Sequence, residues 1–398
     1  MREVFERIRE KARKAINKKA EFSIDLNLDE FFPPGEHVEP QKLEETAKKV
    51  GVSLSNTSGS YAQIDKTTII SQSLEKGLEI KSLRKALQEE DLLDYWWKIV
   101  PVDLDKYTAK VELLGGNGYF VRVREGKKVS MPVHTCLVLG SECSAQPVHN
   151  IIIVEPYAEL TLLTGCTLMS KIRKGIHLGV TEIYVKEGGK VTYTMVHSWG
   201  ENVHVRSRTG VVLDKNASFY SSYVNLGPVG SIQTCPTILF NGDNAKAKES
   251  SIILAPKAIE IDIGAKMLLN AKNVKGEIIS RAVASNSSRV VSRGFLIGRG
   301  ENAKGHLECR GIIMSESASI IAIPVLESYS PSASLTHEAA IGKIAEEEKY
   351  YLMARGLSEE EATAVLVSGF LTSGLDGIPK ELHTQLRRVI LLTAESSM

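Results

Sequence analysis

A cysteine, a histidine and a glutamate in the last quarter of the 398-residue chain have the types and spacing for metal chemistry. Cys309 precedes the His337-Glu338 pair by 28 residues, and thiolate, imidazole and carboxylate are the donor types that bind iron or zinc. One cysteine with harder ligands would hold an iron–sulfur cluster less tightly than four cysteines, which suits delivery. Each residue has an ordinary alternative, Cys309 as a packed core thiol and His337 as a cap on a following helix. The other cysteines, Cys136, Cys143, Cys166 and Cys235, are widely spread and form no CxxC pair. Free thiols in a reducing compartment are therefore expected.

Other chemical signatures are absent. No GxxxxGK[ST] phosphate loop, helix-opening GxGxxG, HExxH or GxSxG motif occurs, so the chain by itself is not expected to hydrolyse ATP. Glu260 and Asp262 form a small acidic grouping, but not the dense ladder that a carbohydrate-active β-helix enzyme would need. Lys plus Arg number 49 against 48 for Asp plus Glu, a formal charge of +1, which gives no global field for nucleic acid or anionic membrane. The N-terminal stretch is charged throughout and no run of about eighteen apolar residues appears. A soluble cytoplasmic protein is the expectation.

Residues so far apart in sequence meet only if a regular element brings them together, and the middle of the chain carries a repeat. A small residue flanked by Asn, Gly or Ser and then Lys or Ser recurs at Gly188-Gly189-Lys190, Asn216-Ala217-Ser218, Asn244-Ala245-Lys246, Asn273-Val274-Lys275, Asn302-Ala303-Lys304 and Ser332-Ala333-Ser334. The central residues are separated by 28, 28, 29, 29 and 30 positions, with weaker markers between at Val203, Gly230, Ala258, Ser288 and Ala318. The unit is thus one strand plus one turn, and two units make a coil. Strands that each hydrogen-bond to the equivalent strand one coil away, at about 4.8 Å, form a parallel β-helix. An antiparallel sandwich is the alternative, but Asn-Gly hairpin signals are sparse and the period is steady. Counting from the markers, Cys309 lies six residues beyond Ala303 and His337 four beyond Ala333, on consecutive coils.

Helical periodicity frames this core. Val4, Phe5, Ile8, Ala12 and Ile16, then Leu43, Ala47 and Val50, point to helices within an α-rich region at 1–104. The β-helix is assigned to 105–336, and a helical unit to 337–398. In that unit Ile341, Ile344, Tyr351 and Leu352 precede a stop at Gly356, Ser358 and Glu361 form a capping box, and Pro379 marks a third helix start.

The C-terminal stretch from Leu335-Thr-His-Glu-Ala-Ala-Ile-Gly-Lys to Met353-Ala-Arg-Gly-Leu, followed by Glu-Glu-Glu-Ala and Gly369-Phe370, resembles the closing signature of the SufB/SufD family of iron–sulfur cluster assembly scaffolds. Leu163-Thr-Gly-Cys-Thr167, Asp262-Ile-Gly-Ala-Lys266, Ile278-Ile-Ser280 and Ser292-Arg-Gly-Phe295 match in order, so the resemblance spans roughly 130–375. It implies a mainly β protein, a right-handed parallel β-helix flanked by N-terminal and C-terminal helical regions. It also implies a complex with the ABC-type ATPase SufC, which supplies the missing phosphate loop; the amphipathic helix around Val365, Leu366 and Phe370 is the candidate docking surface, with an internal helical cap as its alternative role.

Carried over by position, the resemblance makes Cys309 the cysteine needed for cluster assembly and His337 and Glu338 cluster ligands near a subunit interface. It makes Cys166 the residue that receives sulfur, with Trp199 and Lys215 on the route to Cys309; without it, Trp199 reads as a core aromatic and Lys215 as a solvated turn lysine. The chain departs from the bacterial SufB pattern at three places: no cysteine precedes Cys136, His197 stands where Gln is usual, and Leu137-Val138-Leu139 replaces a more polar strand. His-Glu together with both cysteines makes it SufB-like. The implied assembly is two copies joined through the β-helix plus two of SufC. It is non-catalytic, builds a transient 4Fe-4S cluster, uses ATP only through SufC, and works with a sulfur donor and recipient apoproteins; flavin binding is left open. The alternatives are a SufD-like structural partner without its own cluster and a carbohydrate-active enzyme.

Overall fold

The repeated small residues are turns in which the backbone enters the left-handed region. Gly188, Asn216, Asn244, Asn273 and Asn302 have φ of 64°, 58°, 61°, 56° and 55°, a conformation that glycine and asparagine tolerate best. The asparagine amides also stack, Asn244 Nδ2 donating to Asn216 Oδ1 at 3.1 Å, with Asn273 and Asn302 continuing the ladder at 3.4 and 3.3 Å. Two residues after each of these positions a strand begins. In the computed structural model, residues 2–22, 24–35, 42–55, 57–89, 91–225, 227–257, 259–373 and 384 are described.

Two ten-stranded sheets face each other across a narrow interior. The first runs through Val133–Leu139, Glu159–Leu168, Lys190–Ser198, Ser218–Asn225, Lys246–Ala255, Lys275–Ala284, Lys304–Ile313 and Ser334–Gly342, each parallel to the next. The second contains Tyr119–Val123, Ser144–Val154, Lys174–Val185, Asn202–Leu213, the short pair Ser231–Thr234 and Thr237–Phe240, Glu260–Leu269, Arg289–Gly298 and Ser319–Ser328. The chain alternates between the sheets, so about eight coils stack into a solenoid, with 47% strand and 17% helix. The β-helix expectation holds. Alternate residues point inward, and Val191, Phe219, Val274, Leu296 and Leu307 fill the core.

Both outer faces are covered over the early coils. The helices Arg2–Ala15 and Lys106–Leu113 and the segment around Trp96 and Trp97 bury the back of the second sheet at Ile151, Ile153, Ile176 and Leu178. Glu182 joins the two layers, its buried carboxylate accepting from the backbone N–H groups of Trp97, Lys98, Ile99 and Val100 at 2.8, 2.7, 2.7 and 3.2 Å, with His149 Nε2 at 2.9 Å. The helix Leu43–Lys48, with Val50 and Val52, covers the first sheet, and the helix Glu359–Thr372 covers it again near Leu254 and Val283.

The observed elements differ from the assigned regions at both ends. Within 1–104, Gly59–Ile64 and Thr67–Ser73 form a hairpin, and Gly59–Ile64 pairs in parallel with Val133–Leu139 as the first rung. At the other end Ser334–Gly342 carries the stack past 336, because pairing with Lys304–Ile313 claims Ile341 as strand rather than helix. The helix there is limited to Glu346–Met353, Gly356 has φ of 100°, and the Ser358–Glu361 capping box is present. Pro379 lies outside the described residues. Among the described residues no helix is long and apolar enough to cross a membrane.

Candidate functional site

Cys309 lies on the next-to-last rung of the first sheet with its side chain in the core, 3.6 Å from Ser292 Oγ on the opposite sheet. Burial pushes its thiol up, the Ser292 contact opposes this, and nearby Glu308 adds to the rise. In this resting form Cys309 is a neutral, shielded thiol. The register pairs Leu307 with His337, Glu308 with Glu338 and Cys309 with Ala339. His337 therefore shares the inward parity of Cys309, diagonally displaced on the last rung, where no further coil covers it and it is exposed.

Glu338 has the opposite parity. It stands on the outer face, exposed, and accepts from Arg310 Nη2 at 3.0 Å. The three expected ligands thus meet at one end of the ladder without sharing a face in the single chain, because a one-residue offset turns a strand side chain to the other side. Glu308 pairs with Arg281, and Arg281 Nε donates to Ser373 Oγ at 3.1 Å while its guanidinium lies 5.8 Å from the Phe370 ring. A single arginine therefore ties the residue before Cys309 to the C-terminal helix.

Cys166 occupies the same sheet five rungs earlier, a span of about 24 Å at the usual strand spacing. It is fully buried, and burial, with Cys136 nearby, raises its thiol well above the ordinary range. Gly165 beside it has no side chain because Val50 Cγ2 would lie 2.3 Å from a Cβ, so the covering segment sits directly on the strand. Next in register stands His197, whose Nδ1 is 2.9 Å from Tyr223 Oη and whose ring is 5.7 Å from that of Trp199. Burial and neighbouring His177 hold His197 well below the usual imidazole range. His197 Nε2 and Trp199 Nε1 are buried without a hydrogen-bond partner.

Trp199 thus stands beside His197, the register partner of Cys166, whereas Lys215 lies elsewhere. Lys215 is exposed in the turn after Asn202–Leu213, on the edge opposite the turn holding Trp199. From Cys309 an inward column in register runs back through Ser280, Ser251, Tyr223 and Met195 to Thr164, two residues from Cys166, and Ser280 Oγ is buried and unpartnered. Beside it Glu249, Tyr193, Tyr223, Ser221 and Ser251 line an interior cavity of about 30 Å³, enough for at least one water. Burial pushes Glu249 up to about 7, with Ser221 pulling the other way.

Sequence reasoning did not single out Glu249, Tyr223, Arg281, His306 or Glu308. Their positions three to seven residues beyond the central marker of each coil were the available signal, and inward or outward parity was the missing information. Glu260 and Asp262 carry ion pairs to Arg289 at 3.6 Å and Arg293 at 2.7 Å, and offer no free carboxylate pair for glycoside chemistry.

Residues 137–370 match the family described as the SUF system FeS cluster assembly, SufBD core domain. An iron–sulfur cluster assembly SufBD family protein of Methanothermobacter thermautotrophicus is 39% identical over 396 residues, covering 96% of this chain and 97% of its own length. One of the same description from Archaeoglobus fulgidus is 41% identical over 359 residues, 89% of this chain and 96% of its own. The iron–sulfur cluster assembly protein SufB of Bacillus subtilis is 31% identical over 395 residues, 94% of this chain and 84% of its own.

Proposed function

Because the chain belongs to the SufBD family of iron–sulfur cluster assembly proteins, we propose that it is a SufB-like scaffold that builds a transient cluster at Cys309, His337 and Glu338 and passes it to apoproteins. The observation that carries this reading is the open end of the ladder: a shielded thiol and an exposed carboxylate one rung apart, beside an arginine that reaches the C-terminal helix. Cluster chemistry needs the last rungs to part, since a buried neutral thiol does not ligate iron. Exposed Ile321, Leu326 and Ile341 at this end support docking of a second copy there.

A SufC-type ATPase is the proposed engine, docking at the helix Glu359–Thr372, where Val365 is exposed and Leu366 and Phe370 are partly so. Nucleotide-driven movement of that helix would pull on Arg281 and thereby on Glu308 and the strand holding Cys309. The scaffold itself is non-catalytic, and the cluster, of 4Fe-4S type, is its cargo. Cys166 is the proposed sulfur acceptor. Its separation from Cys309 rules out direct handover, so sulfur travels along the Tyr223–Ser251–Ser280 column as hydrosulfide: a Cys166 persulfide and two external thiols yield the Cys166 thiol, one disulfide and H₂S.

The test is anaerobic reconstitution with iron and sulfide, comparing the unaltered chain with Cys309→Ala and Glu338→Ala. Visible iron–sulfur absorption is expected to fall at least fivefold in both variants. Equal occupancy in all three removes these residues from the site, and no absorption in any marks the chain as a structural partner.

A further inference from the structure

On the outer face of the last two rungs, His306, Glu308 and Glu338 bring one ring nitrogen and two carboxylates within 4.8 Å of one another. Glu308 and Glu338 stand directly opposite in the ladder, an arrangement in which like charges repel. Arg310 relieves it, its Nη2 lying 3.0 Å from Glu338 and 3.3 Å from Glu308. The Arg310 side chain is 42% exposed, whereas that of Arg281, bound to the other Glu308 oxygen, is 10% exposed. Arg281 is therefore a fixed partner and Arg310 a counter-ion that can swing into solvent. His306 is oriented by Thr336, with Nδ1 2.8 Å from Oγ1, and this leaves Nε2 as the nitrogen available to a ligand. Metal-bound histidines are characteristically held by such a bond through the other ring nitrogen.

We propose that His306, Glu308 and Glu338 form a docking site for a divalent first-row cation, Fe²⁺ foremost, which displaces Arg310 as it enters. One nitrogen and two oxygens suit Fe²⁺, Mn²⁺ or Zn²⁺, without need of sulfur. Donors at about 2.1 Å from one ion stand roughly 3 to 4 Å apart, so small rotamer changes close the present spacing. Cys309 follows Glu308 directly but projects into the core, so the site is complete without it. As a place where iron is loaded beside the cluster thiol, the site rests on the scaffold reading; as a cation site it stands on these side chains alone.

Equilibrium dialysis of the full chain against Fe²⁺ under anaerobic conditions, with Co²⁺ spectra as a second readout, tests it. One tight site is expected, weakened at least tenfold in His306→Ala and Glu308→Gln, unchanged in Cys309→Ser, and tightened several-fold in Arg310→Gln, with no thiolate-to-cobalt band. Affinity unaffected by His306→Ala, loss of the site in Cys309→Ser, or a thiolate band each overturns the proposal. Thermal melts of the same variants separate ligand loss from unfolding. Normal Fe²⁺ binding in a chain that never builds a cluster would sink the scaffold reading and leave the cation site standing.

Discussion

Cys166 and Cys309 occupy the same sheet, on rungs of the same pattern, and differ in what lies beyond their strands. Around Cys166 the first sheet is covered by the Leu43–Lys48 helix with Val50 and Val52, and the facing sheet by the N-terminal helices, so both sides of each sheet are buried. Around Cys309 the stack ends, and the last strand, Ser334–Gly342, is almost wholly exposed. A repeat determines the shape of a rung but not its solvent access. Access comes from the non-repeating segments, and here they seal one thiol region and leave the other at an open edge.

The strongest way to break this contrast is to remove the residue that holds the sealing layer. Glu182→Ala leaves four backbone N–H groups and His149 without their acceptor, and is expected to cost about 4 kcal/mol. Glu338→Ala, at the open end, should stay within about 0.5 kcal/mol. Denaturant melts of the two variants check this, and equal losses would mean that the two ends are equally bound into the fold.

A pH series sharpens it at the interior cavity. Glu249 is pushed up to about 7 from an ordinary carboxylate value of 4.5, so the folded state holds a proton that the unfolded chain releases, and its contribution to stability falls as pH rises between those values. Buried His177 and half-buried His204, each lowered to about 4, act in the opposite sense, adding stability as pH rises toward 6.5. Glu249→Gln removes only the falling part. Relative to the unaltered chain it should gain stability between pH 5 and pH 8, by about 1.4 kcal/mol for each pH unit crossed between the two carboxyl values, read from melting temperatures at both ends of the range. A constant difference would mean that the carboxyl is not held neutral.

The smallest effects probe the column between the thiols. Tyr223→Phe loses the contact with His197 and should cost about 1 kcal/mol, whereas Ser280→Ala removes a hydroxyl that has no partner and should be neutral or slightly stabilising. Matching losses in the two melts would show that Ser280 is bonded in solution.

Much of the fold was legible because its signal is local. A left-handed Asn or Gly recurs at five successive turns of one edge, so the coil length of 28 to 30 residues can be read directly, and the capping box at Ser358 announces its helix. The hairpin Gly59–Ser73 was missed because its partner, Val133–Leu139, lies some seventy residues away. The end of the last strand was missed because Ile341 and Ile344 suit a helix equally well until a ladder claims the first. At the site, the placement of Cys309, His337 and Glu338 on consecutive coils was legible, but the face each presents was not.

By itself the sequence determined a stacked ladder with reactive groups near its final coil, since turn chemistry and repeat length are properties of neighbouring residues. Only the tertiary structure decided that Cys309 faces the core and Glu338 the solvent, that Lys215 lies on the edge opposite Trp199, and that Arg310 and Arg281 hold the outer carboxylates. Those outcomes depend on register between strands about thirty residues apart, where a shift of one position reverses every side chain.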